Sequence, residues 1–367
     1  MKEKELFYVL ALQKAKGIGS INAKRLIKHF GSAEAVFLEK KAVLERVDGV
    51  GTYTTQFRDD TALLKKAEKE LAYIQKYNIS YTGFFEKNYP EKLKHCIDGP
   101  LLLFQEGTIH FEKQPVISIV GTRKMTSYGQ NFIDTLVADI AQYNPIIVSG
   151  FAYGVDIAAH KAAIKNKLQT IAVLAHGIDK IYPKSHKKYM NQVLENGGFY
   201  TEHWHDEESL REHFLQRNRI VAGLSEATII IESAAKGGSL VTASIANSYN
   251  REVFAVPGRI TDTYSQGCNN LIRTNKAALL NSAADLVYLL NWDQNKKNHR
   301  VIQPQLFVDL EGEQKVVYDY LVTNGKMLLD SLSLEIKIPV YKLSGILVQL
   351  ELQGLIRPLP GKYFEAI

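Results

Sequence analysis

The segment Val116-Ile-Ser-Ile-Val-Gly-Thr-Arg123 sets a β-branched apolar run against a glycine and a basic residue. Such a run marks a strand buried on both faces, and the helix-compatible residues from Tyr128 onward predict a strand, a turn and a helix in succession. Backbone N–H groups at the start of such a helix lack partners and carry partial positive charge. Gly121 would let a ligand come close to them, and the planar guanidinium of Arg123 matches phosphate oxygens. Taken alone, the phrase also fits an arginine that fixes its own turn.

Four further stretches repeat the pattern. Pro145-Ile-Ile-Val-Ser149 runs into Gly150-Phe-Ala-Tyr-Gly154 and a helix from Asp156. Thr170 to Leu174 ends in Ala175-His-Gly-Ile-Asp179, with Tyr182-Pro-Lys184 opening the next helix. Ala227 to Glu232 precedes Lys236-Gly-Gly-Ser239 and a helix of small residues, Leu240 to Ser248, and Glu252 to Val256 stops at Pro257-Gly258. Strands alternating with helices predict an open, doubly wound α/β sheet. Each strand end sets glycine beside polar or basic residues, so the loops should converge on the edge where such sheets bind ligands.

The chain has 367 residues, enough for more than one domain, with 46% hydrophobic residues and no low-complexity tract. No apolar run approaches membrane-span length, and Met-Lys-Glu-Lys-Glu at the start lacks a signal-peptide core, so a cytoplasmic protein without a membrane partner is expected. Cys96 and Cys268 stand alone, which fits a reducing compartment. A net charge of +6 permits a polyanionic partner without requiring one.

Residues 1–78 read as a helical, SAM-like domain. Ala15-Lys-Gly-Ile-Gly-Ser-Ile-Asn-Ala-Lys-Arg-Leu-Ile27 puts a Gly-x-Gly turn between two amphipathic helices, and Asp48-Gly-Val-Gly51 echoes it, a pattern similar to tandem helix-hairpin-helix units. The turn N–H groups could hold a nucleic-acid phosphate with help from Lys16, Lys24 and Arg25, or the glycines could serve only a compact helical cap. Residues 79–290 form the central domain. Its first pieces, Ile79 to Thr82 and Leu101 to Phe104, are punctuated by Tyr89-Pro90 and Gly99-Pro100 and read as edge strands of the main sheet. Its last, polar section, Tyr264 to Arg273, either offers amide donors to a ligand or turns the chain.

Residues 291–304 read as a linker, and 305–367 as a winged-helix domain, with helices over Gln314–Val322, Met327–Leu334 and Val340–Leu352 and a hairpin from Gly354 to Gly361. From residue 301 onward six Lys or Arg face eight Asp or Glu, and the third helix offers only Lys342 against Glu351. Duplex binding needs several phosphate-neutralising cations, so a protein contact or structural capping is the expected use.

No nucleophile elbow, Walker lysine loop or dinucleotide fingerprint is present, and no cofactor is expected. Asp156 and His160, four apart on a helix, could share a metal, but a helix cap and a packed histidine are the expected roles. His203-Trp-His205 could chelate on a strand, yet no third ligand accompanies them, so solvated loop histidines and no metal are expected. Arg217-Asn218-Arg219 before Ile-Val-Ala-Gly-Leu224 forms a charged collar on a buried helix. The two arginines either make structural salt bridges or extend one cationic groove with Arg123 and Lys184.

These phrases resemble the DprA/Smf family of DNA-processing proteins. The resemblance rests on Gly-Thr-Arg123 with Ser127-Tyr-Gly129, Ser149 to His160, Gly177 with Tyr182-Pro-Lys184, Arg217 to Ser225, Gly238 to Ala243 and Val256-Pro-Gly258, in order across the central domain. It implies a Rossmann-like fold and a non-enzymatic protein, usually a homodimer, which binds and protects incoming single-stranded DNA and helps load the RecA recombinase during natural transformation. It implies that Arg123 grips a phosphate and that Lys184 is a second basic contact. Gly121, Gly150, Gly154 and Gly238 would keep the pocket floor low. Thr122, Ser127, Phe151, Ala152, Asn218 and Arg219 complete the expected contacts with Arg217, Lys236, Gly237 and Ser239, and Phe151 or Tyr153 could either stack on bases or serve core packing and loop anchoring.

The chain departs from the family pattern at Tyr200-Thr-Glu-His-Trp-His205, where only Glu202 of the usual phrase remains, and near Asn275, where a glycine is usual. A competing reading is a nucleotide phosphoribohydrolase, whose glycine-rich loop is followed by a catalytic glutamate. Here Lys236-Gly-Gly-Ser-Leu-Val-Thr242 carries no such carboxylate, and Glu232 precedes the loop.

Overall fold

The computed structural model describes residues 1–51, 54–293, 310–359 and 362–366. It divides into two compact units, Met1–Gln294 and Asn295–Ile367. In the first unit nine strands make one sheet: β1 (Ser80–Gly83), β2 (Leu102–Gly107), β3 (Val116–Val120), β4 (Ile146–Ser149), β5 (Thr170–Val173), β6 (Gly197–Thr201), β7 (Ala227–Ile230), β8 (Glu252–Ala255) and β9 (Ala278–Leu279). Their order is β1-β2-β6-β5-β4-β3-β7-β8-β9. The strands from β6 to β9 in that order pair in parallel, whereas β1 and β2 pair antiparallel at one end.

This is the doubly wound, Rossmann-like arrangement that the β-branched runs predict. The chain winds outward from β3 through β4, β5 and β6, then returns to lay β7, β8 and β9 on the other side. The strand order therefore reverses between β3 and β7, and the loops at their carboxyl ends splay apart to leave a crevice. Side chains alternate across the sheet. Val116 and Val120 pack with Ile220, Val221 and Ala243 on one face, and Ile117 and Ile119 with Ile133, Val137 and Ala159 on the other.

β1 and β2 join the main sheet as expected. β6 is an additional strand that the apolar pattern did not reveal. It begins Gly197-Gly198, and a Cβ at either position would lie 2.1 Å from a carbonyl oxygen of a neighbouring strand, Thr170 or Glu106. Glycine usually signals a turn, but here it allows two backbones to meet.

The described residues before β1 are mainly helical, with main helices Glu3–Gln13, Ser20–Phe30 and Thr61–Tyr77. Their core continues into the sheet end through Leu101, Leu102, Phe104 and Trp204. The two glycine turns meet each other: Asn22 Nδ2 donates to the Gly49 carbonyl at 2.9 Å, and Arg25 donates to the Asp48 carbonyl. Lys24, one of the cations considered for phosphate binding, is instead buried, with Nζ 3.4 Å from the Cys96 carbonyl and 4.0 Å from the Phe84 ring centroid. Burial lowers its pKa to about 8.

The second unit holds helices Gly312–Asn324, Leu329–Ile336 and Val340–Leu352 and a three-stranded sheet of β10 (Met327–Leu328), β11 (Ile356–Leu359) and β12 (Tyr363–Ala366), ordered β10-β12-β11. This is a winged helix with a core of Val317, Leu321, Leu332, Leu343 and Leu347. The third helix presents Tyr341, Val348 and Leu352 to solvent, and Lys342, its only cation, is bonded to Glu313 at 2.7 Å. Arg357 on the wing pairs with Glu365. The expected linker lies outside the described residues from 294 onward.

Candidate nucleic-acid interface

A cleft of about 790 Å³ opens at the β3/β7 switch point, the place the topology dictates. Its lining draws chiefly on the loops after three strands and on one helix. After β3 come Gly121, Thr122, Arg123 and Lys124; after β4, Gly150, Ala152 and Asp156; after β7, Ala234 and Gly237 to Ser239; and the helix Arg211–Leu224 forms the remaining wall. Four cations, Arg123, Lys124, Arg211 and Arg217, face one carboxylate, Asp156, among the described lining residues.

Arg123 is exposed and makes no ion pair among the described residues. Its guanidinium carbon sits 4.9 Å from the centroid of Phe214, whose ring meets Tyr182 edge-on at 5.3 Å. The cation is thus held on an aromatic shelf with its donors unspent. The turn behind it is anchored from below. Thr122 N donates to the Glu232 carbonyl at 2.7 Å, and both Glu232 carboxylate oxygens accept from Thr126, at 2.8 Å from its N–H and 2.6 Å from its hydroxyl. Glu232 therefore serves the turn, and it does not line the cleft.

The helix Gly238–Ser248 aims its N-terminus into the cleft, and nothing lies within 4 Å of where a Gly238 Cβ would be. That end offers unpaired N–H donors to an anion. The other glycines are needed for contacts within the protein. A Cβ at Gly150 would fall 1.7 Å from Arg217 Nη1, one at Gly121 2.5 Å from Val155 Cγ2, and one at Gly154, where φ is +75°, 2.3 Å from the Thr122 carbonyl oxygen. Their expected task of lowering the floor for a ligand thus resolves into packing at three positions and open access at Gly238.

Arg217 forms the floor. It is 4% exposed, donates through Nη1 to the Val173 carbonyl at 2.9 Å, and leaves Nε without a partner among the described residues. Asp156 lies beside it, 7% exposed, accepting from Ala152 N at 3.4 Å. Burial raises the Asp156 pKa, and the charge of Arg217 opposes that rise. His160, one helical turn on, is wholly buried with Nδ1 2.7 Å from Thr170 Oγ1. The packed histidine is as expected from the sequence, whereas Asp156 does not cap its helix: it lies in the first turn, after the N-cap Gly154, and bonds the preceding loop at Ala152.

Of the other expected contacts, Asn218, Gly237 and Ser239 line the cleft, whereas Ser127, Gly154 and Lys236 do not. Lys184 is exposed on the turn Lys184–Tyr189, outside the lining. Two expectations are corrected. The Phe151 ring is 2% exposed and packs edge-on against Phe199 at 5.3 Å, which leaves it no face for a base. Arg219 does not extend the groove but pairs with Glu202 at 2.6 Å, because residues two apart on a helix point to opposite sides.

The histidines of the departing phrase are not solvated. His203 is 3% exposed, bonded to Glu207 at 3.0 Å and stacked on His213 at 4.1 Å; His205 pairs with buried Glu70. His203, Glu207 and His213 bring potential ligand atoms within 4.8 Å of one another, and so, separately, do Glu70, His205 and Asp206, so the two histidines do not chelate as a pair. Glu207 is already engaged by Lys14 and by Trp204 N at 3.1 Å. Asn269 turns the chain, bonding Gly258 through both side-chain atoms at 3.2 and 2.9 Å. Phe214, Tyr182, Arg211 and Lys124 went unread as site residues. Arg211, Phe214, Asn218 and Val221 share one face at helical spacing, the signal that would have found the first two members of that face.

The fold defines a Rossmann-like protein with a cationic cleft at its topological switch point and a winged-helix domain. The chain belongs to the DprA/Smf family of DNA-processing proteins: the family model described as "DNA recombination-mediator protein A" matches residues 80–291, and the DprA winged helix domain matches 308–362. It is 37% identical over 199 residues to the DNA processing protein DprA of Streptococcus pneumoniae, covering 54% of this chain and 70% of that one. The X-ray structure of DprA from the same species superposes with a TM-score of 0.65 at 29% identity, over 78% of this chain and 98% of the other. A DNA processing protein A structure from Helicobacter pylori, described for its single-stranded DNA binding mode, gives 0.52 at 29% identity over 58% and 97%. Among the described residues no helix is long and apolar enough to cross a membrane.

Proposed function

We propose that this protein is a cytoplasmic, non-enzymatic mediator of DNA recombination. In this reading it holds single-stranded DNA in the β3/β7 cleft, protects incoming strands and, as a homodimer, helps pass them to the RecA recombinase during natural transformation. The observation that carries the reading is Arg123, displayed on Phe214 beside the open N-terminus of the Gly238–Ser248 helix. A backbone phosphate meets a guanidinium and free N–H donors there, while Phe214 and Tyr182 offer ring surface to a base, worth about 1–3 kcal/mol where stacking occurs. Family membership and the single-stranded DNA mode described for the Helicobacter relative support the same substrate. Asp156 is committed to Ala152 N and to the field of Arg217, and Glu232 to Thr126, which favours binding over glycosidic hydrolysis.

The test is fluorescence anisotropy with labelled single-stranded and duplex oligonucleotides over a salt series, comparing native protein with Arg123→Ala and Lys184→Ala. Native protein should prefer the single strand. Each variant should bind more weakly, with a salt slope shallower by about 0.7 for each phosphate that is no longer neutralised. Native affinity and slope in both variants, or cleavage of nucleoside monophosphates by the native protein, would refute the reading.

A further inference from the structure

Residues 151–190 contain seven lysines and two aspartates, a balance of +5. Asp156 is buried on the cleft floor, and Asp179 and Glu208 pair with Lys180 at 3.9 and 3.7 Å, so neither aspartate pairs with the other lysines of this segment. The turn Lys184–Tyr189 and the helix Val155–Lys165 carry much of the excess. Lys161, Lys187 and Lys188 are exposed, and none makes an ion pair among the described residues. Lys161 and Lys188 converge on one ring, with Nζ atoms 5.9 and 5.1 Å from the Tyr189 centroid. Like charges brought together without a carboxylate cost stability unless a polyanion meets them.

The patch is continuous with the cleft. Val155 N donates to the Thr122 carbonyl at 3.2 Å, so the loop bearing Tyr153 lies against the turn bearing Arg123. Tyr182 lines the cleft two residues before the basic turn begins. Between cleft and lysines stands Tyr153, 44% exposed yet fixed in place: Ser185 Oγ donates to its hydroxyl at 3.1 Å, and the buried His186 ring meets it edge-on at 5.0 Å. His186 is itself held by the Phe151 carbonyl at 2.9 Å. A large ring that is exposed but immobilised gives a base a surface to stack on with little ordering cost. Cations in a row beside such a ring suit a backbone that runs past.

We propose that the flank formed by Tyr153, Lys161, Lys187 and Lys188 is a second binding surface for single-stranded nucleic acid, taking the nucleotides that leave the cleft. The proposal rests on the cleft reading above and adds a direction: the strand crosses Tyr153 and descends along the Val155–Lys165 helix. It follows that a strand short enough to sit in the cleft ignores the flank, and a longer one does not.

The experiment compares a six-nucleotide and a thirty-nucleotide oligothymidine by anisotropy over a salt series, using full-length native protein, the triple variant Lys161→Gln/Lys187→Gln/Lys188→Gln, and Arg123→Ala. Thermal melting confirms that the exposed substitutions leave the fold intact. The triple variant should bind the long strand about tenfold more weakly, with a slope shallower by about 2, three phosphates at roughly 0.7 each, and bind the short strand within twofold of native. An unchanged long-strand slope, or equal losses for both lengths, overturns the proposal while leaving the cleft in place. Arg123→Ala binding the short strand as native does would overturn the cleft instead.

Discussion

His160 shows how a single buried side chain sets a response to acid. Burial, aided by the nearby charge of Arg217, lowers its pKa from 6.5 to about 3, so in the fold the ring stays neutral while the unfolded chain takes up a proton below pH 6.5. Between those values the unfolded state binds more protons, and stability falls as pH falls, by up to about 1.4 kcal/mol per pH unit. His160→Gln should flatten this fall in urea melts between pH 6.5 and 4.5; an identical slope would show that another group titrates. Glu207 acts only lower down. Although burial opposes it, the His203 hydrogen bond and Lys14 hold its carboxyl at about 2, against an ordinary 4.5, so its share is lost progressively as pH falls from 4.5 through about 2.

The Gly238–Ser248 helix makes a sharper test of the cleft than any deletion of charge. Gly237 and Gly238 are neighbours with opposite surroundings: a Cβ at Gly237 would lie 2.2 Å from Ser233 Oγ, whereas at Gly238 it would meet nothing. Gly238→Ala should therefore keep the melting temperature or raise it, since alanine gains up to about 1 kcal/mol over glycine in a helix. The methyl group would stand where a phosphate approaches the helix N-terminus, and single-strand affinity should drop several-fold. Binding equal to native would move the phosphate away from this helix. The helix Arg211–Leu224 teaches a related lesson. Arg217 and Arg219 look equivalent in the sequence, yet one forms the cleft floor and the other braces Glu202 behind it.

The first unit folds as one body because its helical start and its sheet share a core. Leu101, Leu102, Phe104 and Trp204 pack among the N-terminal helices, and each such side chain contributes about 1.5–3 kcal/mol on burial. The loop Glu202 to Glu207 clasps the same helices, with Trp204 Nε1 donating to Gln13 at 3.0 Å and His205 N to Glu70 at 3.0 Å. A fragment of residues 79–294 should therefore melt at least 10 °C below one of residues 1–294 and bind a hydrophobic dye, as expected when four core side chains are uncovered in a marginally stable unit. Equal melting curves would mean that the helices only decorate the sheet.

Local pattern was enough for much of this molecule. β-branched runs marked five strands of the sheet, glycine beside polar or basic residues marked the edge where the cleft opens, and Arg123 stood out because it closes the first run. The winged helix was legible from its periodicity. The rest depended on distances between residues far apart in the chain. β6 escaped because glycines that read as a turn were there to admit neighbouring carbonyls. Phe151 and Arg219 looked like ligand contacts until packing buried one ring and helical rotation carried one guanidinium away. His205 found Glu70, 135 residues earlier, only once the chain had closed. Periodicity and residue type are properties of a short window, so they survive without a fold; which side chain faces a cleft depends on strand order and helix rotation, which no short window contains.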